Sequence, residues 1–324
     1  MTAPLPLVSI VVPCFNEEES LPALLDALER LRADVAARFR LEVVVVDDGS
    51  RDRSLEVVRA RAAACDWLAA VSLSRNFGSH AAVLAGFRAA RGDAVTLLAA
   101  DLQDPPELVP RMFDAWRAGA EVVWALKTSR EDAWSDRVTS RLAHRLFALF
   151  TGLPVPAEGL ELFLADRKVV DAVCAESWRN CSIILAFYWA GFRATHLTYD
   201  KRRRERGASK WTFGKRLRLF ADTVVGFSYL PMRFMSGVGA ALALLGAVYL
   251  GVVLYLAAVA RAVPVVGWPS LMAVLLLTGG TLLLCNGVMG EYLWRTLEEA
   301  RRRPMYLVRE RIRAGEEDGD DSTG

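Results

Sequence analysis

Asp101 and Gln103 stand at alternate positions just beyond an apolar run, Ala94–Ala99, so their oxygens can share one side of a loop. A carboxylate beside an amide oxygen is a sparse hard-oxygen set suited to Mg²⁺ or Mn²⁺, with substrate phosphates completing the shell. Asp104 reads differently. It precedes Pro105-Pro106-Glu107 and fits a helix N-cap, with proline at the first helical position and Glu107 reaching back. Asp47 and Asp48 could accept from nucleobase N–H groups or ribose hydroxyls, or could simply make a turn in which Gly49 takes a positive φ. Arg75 and Asn76 could touch a substrate or cap a helix. The basic run Lys201–Lys210 runs into Gly207-Ala208-Ser209-Lys210-Trp211, a loop able to close over a diphosphate and a lipid phosphate. His80, His144 and His196 are isolated and make no metal spacing, and no Ser–His–Asp arrangement can be argued.

These residues need elements to hold them. Leu7–Val12 and Leu41–Val46 are continuous Val- and Ile-rich runs of the kind buried on both faces of a parallel sheet. Asn16 opens a helix with Glu19 as its capping-box partner, and Leu21, Leu24, Leu25, Leu28 and Leu31 share one helical face. A helix over 52–64, a strand at Leu68–Leu73, a helix over about 80–90 and a strand at Ala94–Ala99 follow. This alternation implies an α/β domain with a mostly parallel sheet covered by helices. Ligands of such sheets bind beyond the carboxyl ends of the strands, where four polar clusters fall: Asn16–Glu19, Asp47–Ser50, Ser74–Asn76 and Asp101–Asp104. No GxGxxG or GxxxxGK[ST] occurs, which disfavours a dinucleotide fold or a P-loop NTPase.

The 324 residues suit more than one domain, and 53% are hydrophobic, with positive mean hydropathy. Residues 234–260 hold 27 and residues 262–290 another 29 positions without a charge. Either stretch exceeds the roughly 20 residues that cross a bilayer core. Pro264 and Pro269 mark the turn, giving two transmembrane helices at about 234–260 and 271–290. Residues 201–233 carry ten basic and two acidic residues, while the hairpin loop carries only Arg261. The positive flanks place both termini and the N-terminal region in the cytoplasm, on the inner (plasma) membrane. Residues 213–227 read as an amphipathic interfacial helix. The resulting division is a domain at 1–200, a basic collar at 201–233, the hairpin within 234–294, and a tail at 295–324 with a disordered end. Forty basic against thirty-eight acidic residues leave no whole-chain footprint for nucleic acid. Five cysteines without a CxxC pattern read as reduced thiols, and Met1–Pro13 lacks the basic start of a signal peptide.

Read in order, Val11-Val12-Pro13-Cys14-Phe15-Asn16-Glu17-Glu18, Val46-Asp47-Asp48-Gly49-Ser50, Ser74-Arg75-Asn76-Phe77-Gly78, Asp101-Leu102-Gln103-Asp104-Pro105-Pro106-Glu107 and Gly207–Trp211, with the terminal hairpin, form a pattern. It resembles the family 2 glycosyltransferases of the dolichyl-phosphate mannose synthase and bactoprenol glucosyltransferase type. The resemblance implies a GT-A fold transferring a sugar from a nucleotide-sugar, UDP-sugars favoured, to a polyprenyl phosphate with inversion. It further implies that Pro13, Phe15, Glu17, Val46 and Asp48 hold the nucleoside, and that Asp101 and Gln103 hold Mg²⁺ or Mn²⁺. Arg204 and Lys210 would bind phosphates, and Glu161 would stand where the family has an acceptor-site Asp. Two departures accompany it. Ala99 replaces the first acidic residue of the Asp-x-Asp pattern, and Glu161 is followed by Phe163 where an Arg is usual. A processive polysaccharide synthase would need a Gln-x-x-Arg-Trp motif, which is absent; a non-catalytic membrane scaffold is the other alternative, motivated by Ala99. A homo-oligomer is left open.

Overall fold

The computed structural model describes residues 4–128, 156, 160, 162–176, 182–200, 230–260 and 268–313. One unit comprises residues 1–149, 153–219 and 304–324, and residues 150–152 and 220–303 form a second. In chain order the first unit runs β1 (Leu7–Cys14), α1 (Leu21–Val35), β2 (Arg40–Asp47), α2 (Ser54–Ala64), β3 (Leu68–Leu73), α3 (Ser79–Ala89), β4 (Ala94–Leu97), α4 (Leu108–Arg117), β5 (Val122–Lys127), β6 (Leu162–Asp166), α5 (Arg167–Ala175), α6 (Ile183–Trp189) and β7 (Ala194–Tyr199). The second holds α7 (Leu230–Ala260) and α8 (Trp268–Ala300), after which β8 (Val308–Arg313) returns to the first.

The eight strands make one sheet in the order β7-β5-β6-β4-β1-β2-β3-β8. β1 lies parallel to both β2 and β4, β2 to β3, and β5 to β7. β6 and β8 run antiparallel to their neighbours. Strand pleating sends Val8, Ile10 and Val12 to one face, where they meet Leu21, Leu24 and Leu28 of α1 and Met112 of α4. Val11, Val44 and Val46 point to the other, against α3, α5 and α6. The Val-rich strands are therefore covered on both sides, as their unbroken apolar runs require.

Gly86 shows how tightly α3 sits. A Cβ there would lie 2.2 Å from Val11 Cγ1 and 3.0 Å from Val46 Cγ2, so only glycine allows the helix this close to β1 and β2. That close approach offsets the cost of a glycine inside a helix, roughly 0.5–1 kcal/mol against alanine.

Three sequence expectations change. Helix α1 begins at Leu21, with Ser20 at its N-cap, so Asn16 and Glu19 form no capping box. Asn16 instead adopts a left-handed φ of 53°. Helix α4 begins at Leu108, with Glu107 at the N-cap, so Asp104 is no helix cap either. The supposed tail contains β8, which adds an antiparallel edge to β3. Its docking is secured by an Arg313–Glu42 ion pair at 2.6 Å, exposed only 15% and 11%. Glu42 also accepts from the Ser9 hydroxyl and from Arg91 N (2.8 Å), so its buried charge is surrounded by donors.

In the second unit α7 spans 31 and α8 33 residues. They coincide in position with the expected hairpin. Among the described residues, however, no helix is long and apolar enough to cross a membrane. Side chains at several positions inside them, such as 243, 247 and 250, are outside that set.

Replacing Gly86 by Val should lower the thermal unfolding midpoint, by an overpacking cost of roughly 1–3 kcal/mol. Combining it with Val11→Ala should restore part of the loss in the same unfolding measurement.

Candidate active site

Parallel pairing of β4, β1, β2 and β3 sends four carboxyl ends to one side of the sheet. The loops leaving them carry residues 15–19, 48–53, 74–78 and 98–104.

The first two loops are joined by reciprocal hydrogen bonds. Asn16 N donates to Ser50 Oγ (3.0 Å), and Arg51 N to Asn16 Oδ1 (2.9 Å). Glu17 N donates to Ser54 Oγ (2.8 Å), Glu18 N to Asp52 Oδ2 (3.2 Å) and Arg53 N to Glu18 Oε2 (3.0 Å). The positive φ of Asn16 is what aims these groups across the gap, a strain of order 1 kcal/mol that the bonds offset. Pro13, Phe15 and Glu17 are left half-buried along this joined rim. The Glu17 carboxylate accepts from the Ser20 hydroxyl at 2.9 Å.

The end of β2 ties in the third loop. Asp47 is buried and accepts from Ser50 N (3.0 Å) and the Ser72 hydroxyl (3.1 Å). Asp48, 3% exposed, takes Phe77 N on one carboxylate oxygen (2.7 Å) and Gly78 N on the other (2.9 Å). It therefore holds the entry to α3 as a charge at a helix N-terminus. Burial pushes its pKa above the ordinary carboxylate range, and the two N–H bonds only partly counter this. Gly49, at φ 67°, lies so close to the third loop that a Cβ would sit 2.5 Å from the Arg75 carbonyl carbon. Arg75 and Asn76 are exposed on that loop, with the Arg75 guanidinium 4.2 Å from the centre of the Phe77 ring.

Asp101 and Gln103 sit together in one turn. Gln103 N donates to Asp101 Oδ1 (3.2 Å), and Leu102 between them has a φ of 56° and packs onto the core. The turn presents a carboxylate and an amide, both half-buried. Among the described residues no group of three or more His, Cys, Asp or Glu is placed to hold a metal ion. Two oxygen donors from one turn fit a cation that keeps its remaining positions for phosphates and water, as Mg²⁺ does. Asp104 is buried and accepts the Tyr199 hydroxyl at 2.7 Å, fixing the end of this loop to β7.

Val46, expected at the nucleoside, is fully buried against α3. Glu161, Arg204 and Lys210 lie outside the described residues. Phe163, where the resemblance expects Arg, is fully buried, with its ring centre 4.8 Å from that of Trp124 and 4.6 Å from that of Phe187. That packing accounts for an apolar residue there. Sequence reasoning missed Asp52, Ser54 and Ser72, although short hydroxyl and carboxyl side chains after a strand are a turn signal. A groove of about 540 Å³ at the opposite, amino-terminal ends of β1 and β2 is lined by Arg32, Arg40, Arg91 and Arg313. It is remote from all four loops.

A sequence profile for glycosyl transferase family 2 matches residues 9–184, more than half of the chain. The chain belongs to this family. It is a glycosyltransferase, and its sheet with four polar strand ends is a GT-A-like α/β fold. Among its relatives is the undecaprenyl-phosphate 4-deoxy-4-formamido-L-arabinose transferase of Pseudomonas aeruginosa, 38% identical over 96% of this chain and 92% of that protein. An uncharacterized glycosyltransferase of Synechocystis sp. is 35% identical over 93% of this chain and 94% of that one. Glucosyl-3-phosphoglycerate synthase from Mycobacterium tuberculosis, solved with Mn²⁺ and UDP-glucose, aligns at a TM-score of 0.49 and 19% identity. That alignment covers 68% of this chain and 77% of that one.

Asp48→Asn should destabilise the glycosyltransferase by about 1–3 kcal/mol, since an amide N–H would face a backbone N–H. The pH dependence has a definite sign. A folded pKa above the unfolded value of ~3.9 means this group's stabilisation is full below that value. It is lost as pH rises through the folded pKa. The difference in unfolding midpoint between wild type and Asp48→Asn should therefore shrink as pH rises through this acid window.

Proposed function

We propose that this enzyme transfers a sugar from a nucleotide-sugar, a UDP-sugar in the favoured case, to a polyprenyl phosphate at the cytoplasmic face of the inner membrane. The product would serve cell-envelope glycan or glycolipid synthesis. The observation that carries this reading is the extent of the match. An undecaprenyl-phosphate sugar transferase aligns over 96% of the chain, the two long helices included.

The second unit supports a lipid acceptor. Leu244, Val248, Tyr255, Leu275 and Leu283 are more than half exposed, an apolar surface that calls for lipid or a partner. The hydroxyls of Thr278 and Thr281 donate to the carbonyls of Val274 (2.7 Å) and Leu277 (2.8 Å) of their own helix, as a lipid-facing helix requires. Residues 220–303 leave from and return to the unit that contains the sheet, so any membrane segment within them crosses an even number of times. With the basic flanks, this favours a cytoplasmic sheet and cytoplasmic termini.

In the proposed reaction a phosphate oxygen of the acceptor attacks the anomeric carbon as the bond to the nucleoside diphosphate breaks, inverting that centre. A polyprenyl phosphate, with a second pKa of roughly 6, is already largely dianionic at neutral pH. It needs little help from a general base, so the protein's contribution is chiefly positioning and charge stabilisation. The rim of Pro13, Phe15 and Glu17, with the loop that Asp48 holds, would bind the nucleoside. Asp101 and Gln103 would hold Mg²⁺ or Mn²⁺, which when bound neutralises charge on the leaving diphosphate. Arg204 and Lys210 would bind phosphates, and Glu161 would line the acceptor site.

The test is purified protein with short-chain polyprenyl phosphate, a panel of nucleotide-sugars and Mg²⁺ or Mn²⁺. One donor should yield a glycolipid, and Asp101→Ala should cut kcat by about 10²-fold or more. A glycolipid from no donor, in protein that remains folded, would overturn the proposed polyprenyl-phosphate acceptor.

A further inference from the structure

The loop that carries Arg75 and Asn76 is held from two sides, and only one hold comes from the neighbouring strand β2. Asp48 takes Phe77 N and Gly78 N. At the loop's other end, Ser74 N donates to the carbonyl of Leu307 (2.9 Å), a residue 233 positions later that follows α8. Pairing of β3 with β8 shifts register between Ser72 and Leu73, where Leu73 meets Val308. The irregularity thus falls where the strand passes into the loop, a usual place for a bulge that re-aims a chain.

Side chains reinforce the main-chain contact. Met305, Tyr306 and Val308 pack onto the apolar layer that Phe77 also joins. The Arg88 guanidinium of α3 lies 5.9 Å from the Tyr306 ring and is itself fixed by donating to Cys174 O (2.7 Å). Two charge pairs set the register of β8: Arg59–Glu310 and Arg313–Glu42, each at 2.6 Å. Arg75 and Asn76 therefore sit between two anchored ends.

We infer that residues 304–310, the segment that follows the second long helix, are positioning elements of the donor site, and that Tyr306 is the principal one, acting through the loop 74–78. The inference rests on the donor-site reading of that loop. Its physical content is that the loop's order depends on chain returning from the far side of α8. A site built only from the first 200 residues would lack one of the loop's two anchors. Tyr306 touches no reacting group, so its removal should affect donor capture more than turnover.

Hydrogen exchange of the full-length protein tests this, with Tyr306→Ala, Tyr306→Phe, Glu310→Arg and the double swap Arg59→Glu/Glu310→Arg. In Tyr306→Ala, amides of residues 74–78 should exchange on the order of tenfold faster, while those of β1 and β2 keep their wild-type rates. Tyr306→Phe should match wild type. Glu310→Arg should accelerate the same loop, and the double swap should restore it, which provides a second route if Tyr306→Ala fails to fold. Where transfer is measurable, Tyr306→Ala should raise the donor KM on the order of tenfold with kcat nearly unchanged. Unchanged loop exchange in folded Tyr306→Ala or Glu310→Arg would overturn the inference. So would equal acceleration of β1, β2 and the loop, because that signals global destabilisation. Loop exchange that responds as expected in a protein transferring no sugar would leave this anchoring intact and defeat only the proposed activity.

Discussion

Two adjacent carboxylates at the end of β2 organise the polar end of this sheet. Asp47 and Asp48 are both buried, and a buried charge is tolerated only where donors surround it. The donors come from Ser50, Ser72, Phe77 and Gly78, so meeting one electrostatic requirement fixes the turn after β2 and the loop after β3 together. Ser50 then passes the order to the loop after β1 by accepting Asn16 N. The site's geometry is set by backbone donors and short side chains rather than by flexible ones. That suits chemistry in which the acceptor arrives already charged and most of the enzyme's work is orientation.

The chain's order in space departs from its order in sequence. β8 lies more than 100 residues beyond β7, with α7 and α8 between them, yet it closes the opposite edge of the sheet. Its alternating Arg and Glu residues protect an edge that would otherwise present open main-chain groups beside β3. In chain order the two long helices thus lie between two strands of one sheet, β7 and β8.

Much of this was legible in the residues. Unbroken Val and Ile runs announced β1 and β2 because a strand covered on both faces needs no polar alternation. Leucines at helical spacing located α1. The four polar clusters were found where parallel strands must deliver them. Other features were hidden for physical reasons. β8 reads Val-Arg-Glu-Arg-Ile-Arg, too charged to resemble a strand until its pairing partner is known. Asp104 carried every mark of a helix cap, but the Tyr199 hydroxyl, 95 positions away, claims it. The bonds from Phe77 N and Gly78 N to Asp48 were hidden too, because nothing local reveals that those amides will reach its oxygens. Long-range partners decide the role of a short polar side chain, and sequence spacing does not encode them.

The proposed function requires the four strand-end loops to form one nucleotide-binding surface. Photo-crosslinking with an azido-substituted uridine diphosphate and Mn²⁺, followed by peptide mapping, addresses it directly. Label should appear in peptides spanning 13–20 and 47–54, and excess unmodified UDP should suppress it. Label concentrated on the groove of Arg32, Arg40, Arg91 and Arg313, at the other end of the strands, would contradict a nucleotide site at these loops.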